Sequence, residues 1–107
     1  MSIIFYVIAY DSRKIRLSEA QWRHIILFHP EVETEQAKVG EVVKEPEVVL
    51  QGATKDTRIH YRFYHSTPLT SKFLAVVVKL LNGEGFIITC YFTQTIRKGV
   101  ILWKRTK

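Results

Sequence analysis

A run of strand patterns in the second half of the chain most restricts what it can fold into. Residues 57–67 alternate between a basic, polar side and a largely apolar side, which is typical of a half-exposed antiparallel strand. Residues 72–81 and 85–94 are two apolar runs around Asn82-Gly83-Glu84, which predicts a hairpin. Residues 100–104 predict a last strand. This much consecutive strand sequence predicts an antiparallel sheet at the centre of the fold.

The helices are predicted in the first half of the chain. Ser18 is a good N-cap, and Gln21 three residues later completes a capping box. Pro30 disfavours helical geometry at His29, so this helix should end there. A second helix is predicted over residues 34–45. We therefore predict an α+β fold in which N-terminal helices pack on one face of an antiparallel sheet of about four strands.

The first residues add one further strand. Residues 3–10 are apolar without alternation, which predicts a strand buried on both faces. Residues 14–17 are predicted to pair back against it. The chain has 107 residues and shows no repeat, linker or low-complexity tract, so we expect a single domain over residues 1–107.

Composition narrows the class of protein. The single cysteine, Cys90, cannot form an internal disulfide and has no zinc-ligand partners. The apolar run of residues 3–10 is far shorter than the roughly 20 residues of a membrane helix, and it lacks the basic start of a signal peptide. We expect a cytoplasmic protein with no membrane contact, no metal and no cofactor.

The net charge is unevenly distributed along the chain. The total is +6, but residues 31–47 hold six of the ten acids and two lysines, so this segment carries −4 and the rest of the chain +10. One acidic element beside a strongly basic body is typical of a protein that binds phosphates and has an acidic back side. A helix with an ordinary solvated acidic face is the alternative.

Two histidines lie on the first predicted helix. His24 and His29 are separated by about 140° around the helix axis and about 7.5 Å along it, so we do not expect both imidazoles to contact one phosphate. His29 lies at the helix C-terminus, where the macrodipole favours a protonated imidazole. Their spacing differs from the four residues that align two imidazoles for a metal. Each is a candidate for proton transfer, with packing inside the fold as the alternative.

The register of the predicted hairpin decides which polar side chains share a face. A three-residue loop opposes Lys79 with Ile87, Val77 with Thr89 and Ala75 with Tyr91. It leaves the other face apolar in its middle, which is the arrangement that burial selects. This register collects Lys79, Thr89, Tyr91 and Thr93 on one side. We expect that side to continue into a basic strip on the neighbouring strand, formed by Arg58, His60, Arg62 and Tyr64. Such a face predicts a binding surface for single-stranded nucleic acid. A polar face that contacts only water is the alternative.

An ordered series of motifs resembles a known family. The series runs through Arg16-Leu17, Trp22-Arg23-His24-Ile25, His29-Pro30-Glu31, Glu45-Pro46-Glu47-Val48-Val49, Val76-Val77-Val78-Lys79, Ile88-Thr89-Cys90-Tyr91-Phe92, Lys98-Gly99 and Leu102-Trp103. It is similar to the phage-type nucleases of the barnase–EndoU–colicin–RelE superfold. The resemblance covers residues 16–103, with Cys90 where that family usually has alanine.

The resemblance implies N-terminal helices on a four-stranded antiparallel sheet and metal-independent RNA cleavage, often in toxins or mobile elements. It points to His24, His29, Lys79 and the segment Thr89–Tyr91. RNA is the implied substrate, and a cognate antitoxin or immunity protein is a possible partner. Domains of this kind vary in their catalytic residues, so the fold follows more directly from the resemblance than the activity does.

RNA cleavage of this kind uses the 2′-hydroxyl of the RNA as nucleophile. The protein must remove its proton, stabilise charge on the phosphate and protonate the leaving 5′-oxygen. We predict His24 as the leading acid or base. His29 is second because it lies on the apolar face of its helix, and His60 is a rival because it lies within the basic strip. Lys79 and one of Arg58 or Arg62 are predicted to neutralise the phosphate. Tyr91 is predicted to position a base or phosphate, with Thr89 as a hydrogen-bond partner. The predicted catalytic residues are His24, Lys79, Tyr91, His29 and Thr89, and the predicted nucleic-acid contacts are Arg58, His60, Arg62, Tyr64, Arg97 and Lys98.

Two other functions use the same features. A non-catalytic RNA-binding module would present the same basic strip without acid–base chemistry, and its RNA affinity would depend steeply on salt. A protein-interaction domain is the third hypothesis, for example one that pairs with a second copy along an exposed strand edge. The sequence does not determine the oligomeric state or the RNA target.

Overall fold

The computed structural model describes residues 2–67 and 72–106 of the chain. Its elements in chain order are β1 (Ile3–Ile8), β2 (Lys14–Ser18), α1 (Glu19–Phe28), a 3₁₀ helix (Pro30–Glu35), α2 (Gln36–Lys44), β3 (Val48–Gln51), β4 (Thr57–Tyr64), β5 (Lys72–Leu80), β6 (Glu84–Thr93) and β7 (Ile101–Lys104). Each predicted strand and helix is therefore present, with ends shifted by a few residues.

The strands form one mixed sheet in the order β1-β2-β6-β5-β4-β3-β7. The α+β class is confirmed, but two finer predictions are wrong. The helices are not N-terminal, because the β1–β2 hairpin precedes them. The sheet has seven strands rather than about four, and it is not purely antiparallel, because β2 runs parallel to β6 along Lys14–Arg16 and Glu84–Phe86.

Strand β1 does not have the burial that its apolar run predicts. It is the first strand of the sheet and pairs with β2 alone among the described strands. Tyr6 is 52% exposed and Ile8 55% exposed, while Phe5 and Val7 pack against the core. The prediction of a strand buried on both faces is therefore wrong, because an apolar run without alternation does not distinguish an edge strand from a central one.

Helix α1 begins and ends where the sequence predicts. The Ser18 hydroxyl accepts a hydrogen bond from the Gln21 backbone N–H at 3.1 Å, which satisfies one of the free donors of the first turn. The His29 N–H closes the last turn on Ile25 at 2.8 Å, and Pro30 starts the 3₁₀ helix. That 3₁₀ helix takes the first residues of the second predicted helix. Within the described residues, neither helix is long and apolar enough to cross a membrane.

The two faces of the sheet bury different cores. The helix face carries the larger one, in which α1 and α2 pack on β2, β5 and β6. The opposite face, here called the open face, carries a smaller core formed by Val48, Leu50, Ile59, Tyr61 and Ala75. Ile96, from the segment that joins β6 to β7, packs on this smaller core. Any functional surface on the open face is therefore bordered by the segment of residues 94–100.

The β5–β6 hairpin combines two registers. Ala75 pairs with Tyr91, as the three-residue loop predicts, whereas nearer the turn Lys79 pairs with Phe86, as a two-residue loop would require. A bulge where Val77 meets Val78 joins the two registers. The predicted face is confirmed, because strand alternation puts Lys79, Thr89, Tyr91 and Thr93 on the open face.

Candidate functional site

The basic strip of β4 lies on the helix face, not on the face that carries Tyr91. Arg58 pairs with Val78, and His60 pairs with Val76, and both valines are fully buried under the helices. Lys79 instead pairs with Thr57 on the open face. The predicted continuity between the basic strip and Lys79 is therefore wrong. The alternation along β4 separates the two faces as predicted, but the face that carries the polar side chains packs under the helices.

His60 is closed off from the surface. Its side chain is only 2% exposed, with the ring of Tyr10 at 5.7 Å between ring centres and the Val76 carbonyl at 3.3 Å from Nδ1. Burial lowers the pKa of His60 to about 4, against a smaller opposing effect of the Val76 hydrogen bond. The imidazole is thus neutral near pH 7 and buried, which does not fit the predicted nucleic-acid contact or catalytic role.

The other members of the basic strip hold α2 and a neighbouring loop. The Arg62 guanidinium donates to the Glu45 carbonyl at 2.6 Å, at the C-cap of α2, where a cation is stabilising. Tyr64 donates a hydrogen bond to Glu41. Arg58 donates to the Lys55 carbonyl at 2.6 Å. Three of the predicted nucleic-acid contacts therefore make hydrogen bonds within the fold instead: Arg58, Arg62 and Tyr64.

His24 and Lys79 lie apart from Tyr91. His24 is on the exposed side of α1, with its ring 5.0 Å from that of Phe28. Lys79 Nζ is 2.9 Å from Asp56 Oδ2. Lys79 is four residues along β5 from the partner of Tyr91, which is about 13 Å in a strand. The described structure therefore does not bring His24, Lys79 and Tyr91 into one cleft.

The residue that does reach Tyr91 is His29, across the edge of β6. Strand β2 covers that edge only along Glu84–Phe86. Further along β6, helix α1 lies against the strand edge, and the Gln21 side-chain amide donates a hydrogen bond to the Ile88 carbonyl at 2.5 Å. His29, the C-cap residue of α1, lies at this edge, and its ring centre is 5.6 Å from that of Tyr91.

A carboxylate also lies near His29. Glu31 Oε2 is 3.6 Å from His29 Nδ1, and the two side chains are 22% and 35% exposed. This distance is within ion-pair range but longer than a hydrogen bond, and catalytic contacts are often long before substrate binds. A carboxylate near Nδ1 favours the tautomer protonated there and leaves Nε2 to exchange a proton.

Behind Tyr91 lies a second, buried tyrosine. Tyr61 and Tyr91 both pair with Ala75, from opposite sides, so the small alanine lets their side chains interact. Burial raises the pKa of Tyr61, and a hydrogen bond with the Arg97 backbone acts in the opposite direction. Contacts therefore run from His29 through Tyr91 and Tyr61 to Arg97. We call His29, Glu31, Tyr61 and Tyr91 the His29 cluster.

The remaining predicted residues lie beside this cluster. Thr89 pairs with Val77, one open-face position along β6 from Tyr91. Arg97 and Lys98 are exposed on the segment that crosses the open face. Sequence reasoning missed Tyr61 and Glu31. Tyr61 could have been found only from its pairing with Ala75, and that pairing requires the register of β4, β5 and β6 together.

Cys90 and the acidic side chains do not form a reactive or metal-binding centre in the described ranges. No group of three or more His, Cys, Asp or Glu side chains in those ranges is arranged to hold a metal ion. Cys90 is fully buried, and burial raises the pKa of its thiol to about 12. A thiol in such surroundings is inert.

Comparisons with known proteins leave the family unassigned. No protein-family model, no curated protein and no solved structure matches this chain. The nuclease family remains a resemblance carried by the sequence motifs alone. The function must therefore be argued from the residues of the His29 cluster.

Proposed function

We propose that this protein is a metal-independent endoribonuclease that cleaves RNA by acid–base transesterification at the His29 cluster. One observation carries the proposal: the partly exposed imidazole of His29 lies close to both the carboxylate of Glu31 and the ring of Tyr91, at the part of the β6 edge that β2 leaves unpaired. An oriented imidazole with an accessible ring nitrogen is the side chain best suited to proton transfer near neutral pH.

The proposed reaction uses the RNA as its own nucleophile. His29 accepts the proton of the 2′-hydroxyl as the 2′-oxygen bonds to phosphorus. The bond from phosphorus to the 5′-oxygen breaks, and that oxygen takes the hydroxyl proton of Tyr91. The products are a 2′,3′-cyclic phosphate and a 5′-hydroxyl, and exchange with water restores both side chains. Acid–base assistance of this kind contributes about 10²–10⁴-fold to the rate.

Charge on the open face supports an RNA substrate. Arg97 and Lys98 lie on the exposed segment next to Tyr61, and arginine and lysine neutralise phosphates. Residues outside 31–47 carry a net +10, which favours association with a polyanion. Tyr91 also offers a ring on which an unpaired base stacks.

The proposal changes the assignment of roles among the predicted residues. His29 replaces His24 as the acid–base residue, because a contact with Tyr91 is described for His29 and not for His24. Thr89 remains a candidate hydrogen-bond partner of the RNA. Lys79 is ion-paired with Asp56, and its predicted contact with the scissile phosphate would require a long reach along the sheet.

The test is cleavage of a fluorescently labelled single-stranded RNA in the presence of a chelator. We expect His29→Ala to lower the rate by about 100-fold or more, while His24→Ala, a matched change on the same helix, retains the wild-type rate. Products ending in a 2′,3′-cyclic phosphate are expected. Equal rates for wild type and His29→Ala would refute the proposal. RNA binding without any cleavage would instead indicate the non-catalytic binding module.

A further inference from the structure

Strand β7 is the last described strand of the sheet, and the apolar side chains at and just before its start are exposed. It pairs with β3, and no further described strand follows it. Val100 is 61% exposed, Ile101 57% and Leu102 40%. An open strand edge with exposed apolar side chains is a template for another extended chain, and stable monomers usually blunt such an edge.

A groove borders this edge on the open face. It consists of two adjoining hollows of about 470 and 370 Å³ that share Val48, Ile96 and Lys104. Phe73 lines the first hollow, and Leu50 and Ile101 line the second. We call this the β7 groove. Its surface is more apolar than polar, so it suits apolar side chains that project from an added strand.

The border of the β7 groove is basic. The cations that line it are Arg97, Lys98, Lys104 and Arg105. Within residues 2–67 and 72–106, Lys98 and Lys104 take part in none of the ion pairs. Glu47, the acid that lines the groove, already accepts a hydrogen bond from the Phe63 backbone at 2.9 Å. Among its described residues, the border therefore carries four cations against one carboxylate and has a net positive charge.

We propose that the β7 groove binds an extended acidic peptide segment of another protein, which adds a strand to β7. The segment alternates apolar and acidic residues. Its apolar side chains occupy the groove, its acidic side chains meet Lys98 and Lys104, and its backbone pairs with β7. This binding mode combines main-chain hydrogen bonds with pockets for alternate side chains. The inference does not require ribonuclease activity, and it shares Arg97 and Lys98 with the proposed RNA surface.

Two other occupants fit less well. A second copy that paired β7 with β7 would bring two net-positive borders together, and like-charge juxtaposition across an interface is unfavourable. Single-stranded RNA would find basic side chains, but Phe73 is the one aromatic residue among the described residues of the lining, and bases stack on aromatic rings. Charge and wall chemistry together favour the acidic peptide.

The experiment measures binding of a labelled peptide of alternating valine and glutamate, about nine residues long to span a typical strand, by fluorescence anisotropy. We expect Lys104→Glu to weaken binding by about tenfold or more, while the matched charge reversal Lys55→Glu, in the loop before β4, changes it less than about twofold. Ile101→Ser should weaken binding more than Leu81→Ser, since both side chains are exposed but only Ile101 lines the groove.

Two further peptides separate strand addition from simple charge attraction. A peptide with lysine in place of glutamate should not bind. A peptide with proline at alternate positions, which removes backbone donors, should lose most of the affinity despite its unchanged charge. Bound peptide should also slow amide hydrogen exchange along Ile101–Lys104.

Three results would overturn the proposal. One is equal affinity for the valine–glutamate peptide in wild type and Lys104→Glu. Another is sedimentation as a dimer that Ile101→Ser dissociates, which would assign the edge to a second copy. The last is displacement of the peptide by an oligouridylate whose own binding is weakened by Lys104→Glu. That result would assign the groove to nucleic acid. None of these readouts uses RNA cleavage, so they do not depend on the outcome at His29.

Discussion

Tyr61 and Tyr91 meet across Ala75, the one residue that pairs with both of them. The alanine is fully buried and contributes only a methyl group between the two phenol rings. A larger side chain at this position would separate the rings and crowd the smaller core. The link between the buried tyrosine and the exposed one therefore depends on a residue that has no polar chemistry of its own.

Ala75→Val should disturb this link at a measurable cost. Overpacking a fully buried position costs about 1–3 kcal/mol, so we expect the free energy of unfolding in urea to fall by that amount. If the His29 cluster cleaves RNA, the rate should fall as well. Ala53→Val, in the exposed loop before β4, is the matched control and should leave both quantities unchanged. A stable, fully active Ala75→Val variant would show that the tyrosine contact is dispensable.

Stability should depend on the titration of His60. Its folded-state pKa of about 4 lies below the ordinary value of 6.5, so the unfolded chain binds the proton more readily. The stabilisation is complete above pH 6.5 and is lost as the pH falls towards 4, by about 3 kcal/mol for a shift of this size.

Urea unfolding measured across that pH range checks this expectation. His60→Leu removes the titrating group, so its free energy of unfolding should change less over the same range, even where it is lower at pH 7. Carboxylates also titrate near pH 4, which is why the difference between the two proteins is the relevant quantity. Parallel pH curves for wild type and variant would contradict the assignment.

Arg62 and Arg105 should act as partial substitutes for each other. Both donate to the Glu45 carbonyl at 2.6 Å, at the C-cap of α2. Arg62→Met or Arg105→Met alone should cost about 1 kcal/mol, because the other guanidinium still satisfies the carbonyl. The double variant should cost more than the sum, by about 0.5–1 kcal/mol. Strict additivity in a double-mutant cycle would show that the two hydrogen bonds are independent.

Two glycines should respond oppositely to alanine. At Gly85 an added Cβ would lie 2.7 Å from the Lys79 carbonyl oxygen and 2.9 Å from a methyl group of Ile15, so Gly85→Ala should destabilise the fold by about 2 kcal/mol or more. At Gly40, inside α2, the nearest atom is a ring carbon of Phe5 at 3.6 Å, an ordinary contact. Gly40→Ala should raise stability by about 0.5–1 kcal/mol through helix propensity. Thermal unfolding of the two variants checks both signs.

The parts of the fold that sequence predicts are those set by local chemistry. Ser18 and Pro30 determine the ends of α1, and alternation assigns the faces of β5 and β6 despite the bulge. The environment of β4 could not be predicted in the same way. Whether Arg62 faces water or a helix end depends on where α2 ends in space, and whether His60 is buried depends on Tyr10 from the other end of the chain. These are non-local contacts that no window of sequence contains.

The candidate site shows the same division. His29 was identified from its position on α1, and Tyr91 from the hairpin register, but their contact was not predicted. It arises because β2 covers only the start of β6 and leaves the helix end to turn around the remaining edge. The preference for His24 came from the apolar neighbours of His29, which are the reason that His29 is brought to the sheet at all.

The parallel pairing of β2 with β6 has a consequence for synthesis of the protein. Ile15 meets Gly85, so the partner of the N-terminal hairpin leaves the ribosome seventy residues after it. Until then β1 and β2 stay unfinished, with an apolar strand and unpaired backbone groups accessible to other chains. Contacts between distant residues slow folding, and exposed strand edges promote aggregation. Folding of the β1–β2 hairpin therefore depends on conditions that protect it until β6 has been made.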